Sequence, residues 1–216
     1  FRTPIIANVF GHTVPEYVEV IRHLESAEGL AAYELNISCP NVACGGMQFG
    51  SDPRLVTEIV SAAKAAATRR PLWVKLSPLV TDIGVIARVA AEAGADALTV
   101  ANTYPAMSID FRTRKSRLGK PTGGLPGRAI KPITLRLVNE AFRSVRIPII
   151  GLGGINSAED VLEYMVVGAS AVQIGTASFA DPNACERILG ELGSLCKSAN
   201  IHKISMLSGS LTANNG

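Results

Sequence analysis

The feature that most constrains the fold is a joint that occurs twice. Gly94-Ala95-Asp96-Ala97-Leu98-Thr99-Val100 parallels Gly168-Ala169-Ser170-Ala171-Val172-Gln173-Ile174. In both, a helical pattern ends at glycine and a β-rich run begins at once. A repeated helix–Gly–strand joint predicts stacked βα units in a parallel sheet.

Six β-rich runs fit this scheme: residues 4–8, 33–38, 72–76, 97–101, 147–152 and 171–175. Several are continuously apolar rather than alternating, which suits strands covered on both faces. Helix starts lie between them. Thr13 with Glu16 reads as a capping box, Asp52-Pro53 as cap and first turn, Thr81-Asp82 as a third start, Ser157 with Asp160 as a fourth, and Asp181-Pro182 as the last. The expected fold is a (β/α)8 TIM barrel with about six of its eight βα units in this chain. A closed barrel takes eight strands and roughly 250 residues, and the two further strands are expected upstream of Phe1. An open doubly wound sheet is the competing arrangement, but no Gly-x-Gly-x-x-Gly follows the first run.

The 216 residues suffice for one large core. Apolar residues at 47% and charged ones at 18% predict a soluble globular protein. A net charge of +3 gives no reason to expect nucleic acid or an anionic membrane as partner. No run of about 18 apolar residues is present, so no membrane helix is expected. The cysteines at 39, 44, 185 and 196 form no Cys-x-x-Cys pair, and the three histidines lack metal-ligand spacing relative to them. Reduced thiols in a cytoplasmic protein are expected, with no disulfide framework and no metal site. Residues 1–196 are read as the partial barrel domain, and residues 197–216, rich in Ser, Asn and Gly, as a poorly ordered tail.

Barrel chemistry gathers at the C-terminal strand ends. Those ends carry Asn8, then Asn36 with Cys39, Lys75, Asn102-Thr103, Gly153-Gly154 and Gly175-Thr176. The two glycine motifs on neighbouring strands, one opening a helix, predict a phosphate cradle, where backbone N–H groups and a helix dipole favour an anion. Otherwise they only make tight turns. Lys75 inside an apolar strand needs a partner. It is either an interior ion pair or a cation beside an electron-rich ring. Asn36, Asn41 and Asn102 each could cap a turn; together they suit a flat heterocycle whose edge alternates C=O and N–H, such as a pyrimidinedione. Cys39 lies past its strand in a polar loop beside Pro40, where a thiol with an ordinary pKa near ~8.5 needs little help to act as a base. The stretch 104–127 carries Arg112, Arg114, Lys115, Arg117 and Lys120. It is expected to cover the site, contact a partner, or form a solvated insertion.

Four segments together resemble class 1 dihydroorotate dehydrogenase, and within it the class 1B, NAD-linked catalytic subunit. They are Glu34-Leu35-Asn36-Ile37-Ser38-Cys39-Pro40-Asn41; Val74-Lys75-Leu76-Ser77-Pro78; Thr122-Gly123-Gly124-Leu125-Pro126-Gly127 with Ala129-Ile130-Lys131-Pro132; and Ile149-Ile150-Gly151-Leu152-Gly153-Gly154-Ile155. The likeness runs in order from Pro4 to about Pro182. It implies an FMN-containing barrel that oxidises dihydroorotate to orotate in pyrimidine biosynthesis. By this resemblance Cys39 is the base at C5 while hydride leaves C6 for the flavin. Asn36, Asn41, Asn102 and Thr103 contact orotate. Asn8, Asn36, Lys75, Ala101, Gly127, Gly153, Gly154, Gly175 and Thr176 contact FMN. A homodimer is implied, and a heterotetramer with a partner subunit that carries FAD and a 2Fe–2S cluster and passes electrons to NAD. The pattern departs at Pro126, where serine is expected, and at Arg128, where proline is expected. The family's N-terminal portion, with a flavin-contacting lysine, is also not in the sequence.

Three other readings compete. A dihydropyrimidine dehydrogenase-like pyrimidine reductase shares the architecture and a cysteine loop. A phosphate-binding barrel lyase or isomerase would lack flavin. A truncated paralogue acting only as a binding module would fail to bind orotate.

Overall fold

The computed structural model describes residues 3–38 and 49–212. Cys39, Asn41 and Cys44 lie outside them. Strand β1 (Ile5–Val9), helix α1 (Val14–Glu25), β2 (Leu30–Asn36), α2 (Pro53–Ala66), β3 (Leu72–Lys75), α3 (Ile83–Glu92) and β4 (Ala97–Val100) come first. Four short strands follow: β5 (Tyr104–Ala106), β6 (Ile109–Asp110), β7 (Lys115–Ser116) and β8 (Gly123–Leu125). Then come α4 (Lys131–Ser144), β9 (Ile149–Leu152), α5 (Ala158–Val166), β10 (Ala171–Gln173), α6 (Ala177–Ala180) and α7 (Ala184–Ser198).

The main sheet is parallel, in the order β1-β2-β3-β4-β9-β10. Each strand lies beside the one before it, so the order never reverses, as it must in a doubly wound sheet. The sheet is also strongly curled. Four steps separate β2 from β10, which in a flat sheet would be about 19 Å. Yet Gln173 Nε2 of β10 donates to Glu34 Oε2 of β2 at 2.5 Å. Only a sheet bent toward closure brings these side chains together. This is six of the eight units of a TIM barrel, as the sequence predicts.

The period-two alternation of each strand divides the two faces. In β2, Tyr33 and Leu35 pack outward among helix residues, whereas Glu34 and Asn36 make polar contacts inside. Val56, Ile59 and Val60 of α2, Ile83 and Ile86 of α3, and Leu137 and Val138 of α4 complete that outer core. Burying each such side chain contributes about 1.5–3 kcal/mol.

The helix starts are chemical as well as periodic. Thr13 Oγ1 accepts the Glu16 N–H, Asp52 the Arg54 N–H, and Asp82 the Val85 N–H. Ser157 and Asp160 form a complete capping box. At Thr13 the box is altered: the Glu16 carboxylate accepts from His12 N at 2.6 Å, one residue upstream of the cap. The last helix starts later than Asp181-Pro182 suggests. Asp181 instead accepts from Asn183 N and Arg187 Nε, and α7 begins at Ala184. The stretch 104–127 folds into two small antiparallel pairs, β5 with β8 and β6 with β7.

The boundary after Cys196 falls inside α7. Beyond it the chain turns back on α5. Gly209 N donates to Met165 O, Leu211 N to Val166 O, and Ser208 Oγ to Ala169 O, while Ile204 and Leu207 pack against the core.

Candidate active site

At the centre of the strand ends lies a carboxylate. Glu34 is 4% exposed. It accepts from Asn8 Nδ2 of β1 at 2.7 Å, Thr99 Oγ1 of β4 at 2.7 Å and Gln173 Nε2 of β10 at 2.5 Å. Lys75 Nζ of β3 stands 3.8 Å from its Oε1. A buried carboxylate is costly unless donors and a counter-charge surround it, and here donors and a cation from four strands do so. Lys75 therefore has an ion-pair partner and also lines a cavity.

One step further out is an amide network. Asn36 Oδ1 accepts from Ser38 Oγ at 2.8 Å, and Asn102 Nδ2 donates to the same Ser38 Oγ at 2.6 Å. Thr103 N donates to Asn102 Oδ1 at 2.8 Å, and the buried Tyr17 hydroxyl donates to Asn36 O at 2.7 Å. Asn36 at the end of β2 and Asn102 just past β4 are thus held in fixed orientation on one rim of the sheet.

The cavity has a volume of about 450 Å³. Lys75, Ala101, Asn102 and Thr103 line one part; Gly127, Gly153, Gly154, Gly175 and Thr176 line another. The glycine end is built on close approach. Gly154 has φ 73°, and a Cβ there would fall 2.7 Å from Gly127 O. Beneath it, Tyr164 donates its hydroxyl to Gly153 O at 2.6 Å, with its ring against Gly151, where a Cβ would overlap it. Burial pushes the Tyr164 phenol well up, so it stays protonated and keeps donating.

The dipole expected at the start of α5 is partly used internally. Asp160 Oδ2 accepts from Asn156 N at 2.8 Å and Ser157 N at 3.0 Å. Lys131 Nζ pairs with Asp160 at 2.5 Å and Glu163 at 2.7 Å. Burial works against the Asp160 charge, but the Lys131 hydrogen bond and the Asn156 N–H prevail and hold its carboxyl below the ordinary value. Burial likewise opposes the Lys131 charge, and the two carboxylates outweigh it, so its ammonium is held above the ordinary value.

Nine of the residues singled out in the sequence line this one cavity: Lys75, Ala101, Asn102, Thr103, Gly127, Gly153, Gly154, Gly175 and Thr176. Asn8 and Asn36 reach it through Glu34 and Asn102 respectively. Cys39 and Asn41 lie outside the described residues. Glu34, Ser38, Thr99 and Gln173 were not singled out. The available signal was parity: 34 and 36, 97 and 99, and 171 and 173 share strand faces, and each pair ends in a polar residue.

The family model described as dihydroorotate dehydrogenase matches residues 1–196. A protein of Solibacter usitatus named putative dihydroorotate dehydrogenase A (fumarate) is 55% identical over 210 residues, covering 97% of this chain and 69% of its own length. A protein of Solidesulfovibrio magneticus named dihydroorotate dehydrogenase B (NAD(+)), catalytic subunit, is 51% identical over 209 residues, covering 97% and 68%. The crystal structure of a DHODH from Eimeria tenella in complex with ferulenol superposes with a TM-score of 0.75 at 25% identity, over 91% of this chain and 57% of that one. The chain thus spans about two thirds of these curated relatives. With the curled parallel sheet and the family model over most of its length, these matches show that the chain belongs to the dihydroorotate dehydrogenase family of oxidoreductases.

Proposed function

We propose that the protein carrying this chain oxidises (S)-dihydroorotate to orotate in pyrimidine biosynthesis, using FMN. The observation that carries the reading is one cavity with a polar, cationic part at Lys75, Asn102 and Thr103 and a glycine part at Gly127, Gly153, Gly154 and Thr176. FMN combines a flat ring that gains negative charge on reduction with an anionic phosphate, and these residues fit it. The volume lies within the ordinary range for small-molecule sites. At Gly154 a Cβ would meet Gly127 O at 2.7 Å and Lys131, so the glycine end keeps its shape only without a side chain there. Lys75, Ala101, Gly127, Gly153, Gly154, Gly175 and Thr176 would hold the cofactor, with Asn8 and Asn36 beside them. When bound, FMN supplies the hydride acceptor.

The chain's own residues supply the rest. Cys39 takes the proton from C5 of the substrate at its Sγ. Asn36, Asn41, Asn102 and Thr103 hold the ring by its alternating donors and acceptors. Asn36 and Asn102 are fixed before substrate arrives, through Ser38, so little ordering is needed on binding. Lys75 places a positive charge on the cavity wall, where it favours added negative charge.

A partner subunit carrying FAD and a 2Fe–2S cluster, in a heterotetramer built on a homodimer, would pass the electrons on to NAD. The names of several relatives, which specify an NAD-linked catalytic subunit, support the NAD link and the further subunit. Fumarate as acceptor is a second reading, favoured by the name of the Solibacter relative. A cytoplasmic location is part of this reading; among the described residues Cys185 and Cys196 are free thiols. Among the described residues no helix is long and apolar enough to cross a membrane.

The test is an anaerobic visible spectrum of the full-length protein before and after dihydroorotate is added. Bleaching of a flavin band, abolished in Cys39→Ala, is expected. A flavin that stays oxidised would redirect the search to another substrate, and a protein without flavin would sink the oxidoreductase reading. Reoxidation by fumarate alone, against reoxidation by NAD only with the partner present, separates the two acceptors.

A further inference from the structure

We propose that Glu34 is a positioning residue that, through Lys75 and Gln173, sets the charge a flavin ring meets in the cavity. The inference rests on the FMN reading above.

Glu34 does not line the cavity; Lys75 and Gln173 do. Its side chain stands behind both, with Lys75 Nζ at 3.8 Å and Gln173 Nε2 at 2.5 Å. Two neutral donors, Asn8 and Thr99, complete its shell at 2.7 Å each. The distance to Lys75 is that of an ion pair and longer than a hydrogen bond. The attraction therefore anchors the ammonium without consuming its N–H donors. The three hydrogen bonds come from neutral groups, so they spread the carboxylate charge without cancelling it. The net field at the cavity wall is then the difference between Lys75 and a carboxylate whose strength its neutral donors set. Both side chains are largely withdrawn from water, Lys75 at 16% and Glu34 at 5% exposure, so screening is weak.

Two isosteric changes shift that difference in opposite senses. Glu34→Gln removes the negative charge and leaves Lys75 uncompensated. The reduced flavin is favoured and its midpoint potential rises. Thr99→Val removes one neutral donor, leaves the carboxylate less dispersed, and lowers the potential. A packing role would change melting temperature in both variants without opposing shifts.

The experiment is spectroelectrochemical titration of bound flavin in the full-length protein and in each variant, with flavin affinity measured alongside. A positive shift in Glu34→Gln and a negative one in Thr99→Val are expected. Each should change the oxidised-to-reduced ratio about tenfold, about 30 mV for a two-electron couple. If Glu34→Gln does not fold, the sign of the Thr99→Val shift decides alone. Bound flavin whose potential is unmoved, or shifts of the same sign, would overturn the inference and leave the FMN reading standing. Unsubstituted protein that holds no flavin would overturn both.

Discussion

Gly154 combines a left-handed backbone, φ 73°, with a carbonyl that would lie 2.7 Å from any Cβ. Gly154→Ala is therefore expected to cost about 1–3 kcal/mol of stability and to weaken FMN binding at least tenfold, measured by denaturant midpoint and flavin titration. Arg128 lies at the same end of the cavity, where the family resemblance leads one to expect proline. Its guanidinium is suited to phosphate oxygens. Arg128→Ala should weaken FMN binding by on the order of tenfold with unchanged unfolding midpoint; equal affinity would show the side chain to be a solvated bystander. At this scale the sequence was informative about residues with unusual chemistry for their place. Lys75 in an apolar strand, glycine pairs and clustered asparagines all stood out. Glu34 did not, because its meaning depends on Thr99 and Gln173, 65 and 139 residues away. Thr99 and Gln173 themselves read as ordinary strand residues.

Helix α5 shows how one element joins stability to the site. Its capping box turns Asp160 toward Asn156 and Ser157, and Lys131 of α4 locks the arrangement from the neighbouring helix. Asp160 titrates lower in the folded chain than its ordinary 3.8. Its contribution is thus complete above that value and fades as pH falls through the lower folded one. Lys131 is raised above 10.5, so its contribution is complete below that value and fades as pH rises through the higher folded one. Asp160→Asn should lower stability by about 2–4 kcal/mol at neutral pH. It should also flatten the acid side of a plot of urea midpoint against pH. An unchanged acid limb would contradict this account. The caps at Thr13, Asp52, Asp82 and Ser157 were legible because capping is local chemistry between residues two or three apart. The start of α7 was misplaced because Arg187, six residues on, draws Asp181 into an ion pair. The paired strands β5 to β8 were not legible at all. They are two or three residues long and show no periodicity.

For the whole molecule, the parallel order followed from repeated helix–Gly–strand joints, but the curvature did not, since it is a relation between strands that are not neighbours. The C-terminal segment carries a further expectation. Ile204 and Leu207 pack on the core, and residues 208–211 hydrogen-bond to Met165 and Val166 at the end of α5 and to Ala169 before β10. Removing everything after Asn200 from the full-length protein should cost about 2–4 kcal/mol, given two partly buried apolar side chains. Thermal unfolding would show it, and an unchanged melting temperature would mean the segment is dispensable.

The strictly sequential strand order has a consequence for synthesis. Each new βα unit docks beside the one just made, so the sheet can grow in the direction of translation, each strand closing on its immediate predecessor in the sheet. The bond from Gln173 to Glu34 spans 139 residues and must wait for β10. A nascent chain without β10 can already have the wall that carries Lys75 and Asn102, yet it lacks both Gln173 and the Gly175-Thr176 turn. Ligand capture is thereby reserved for chains in which β10 has been made.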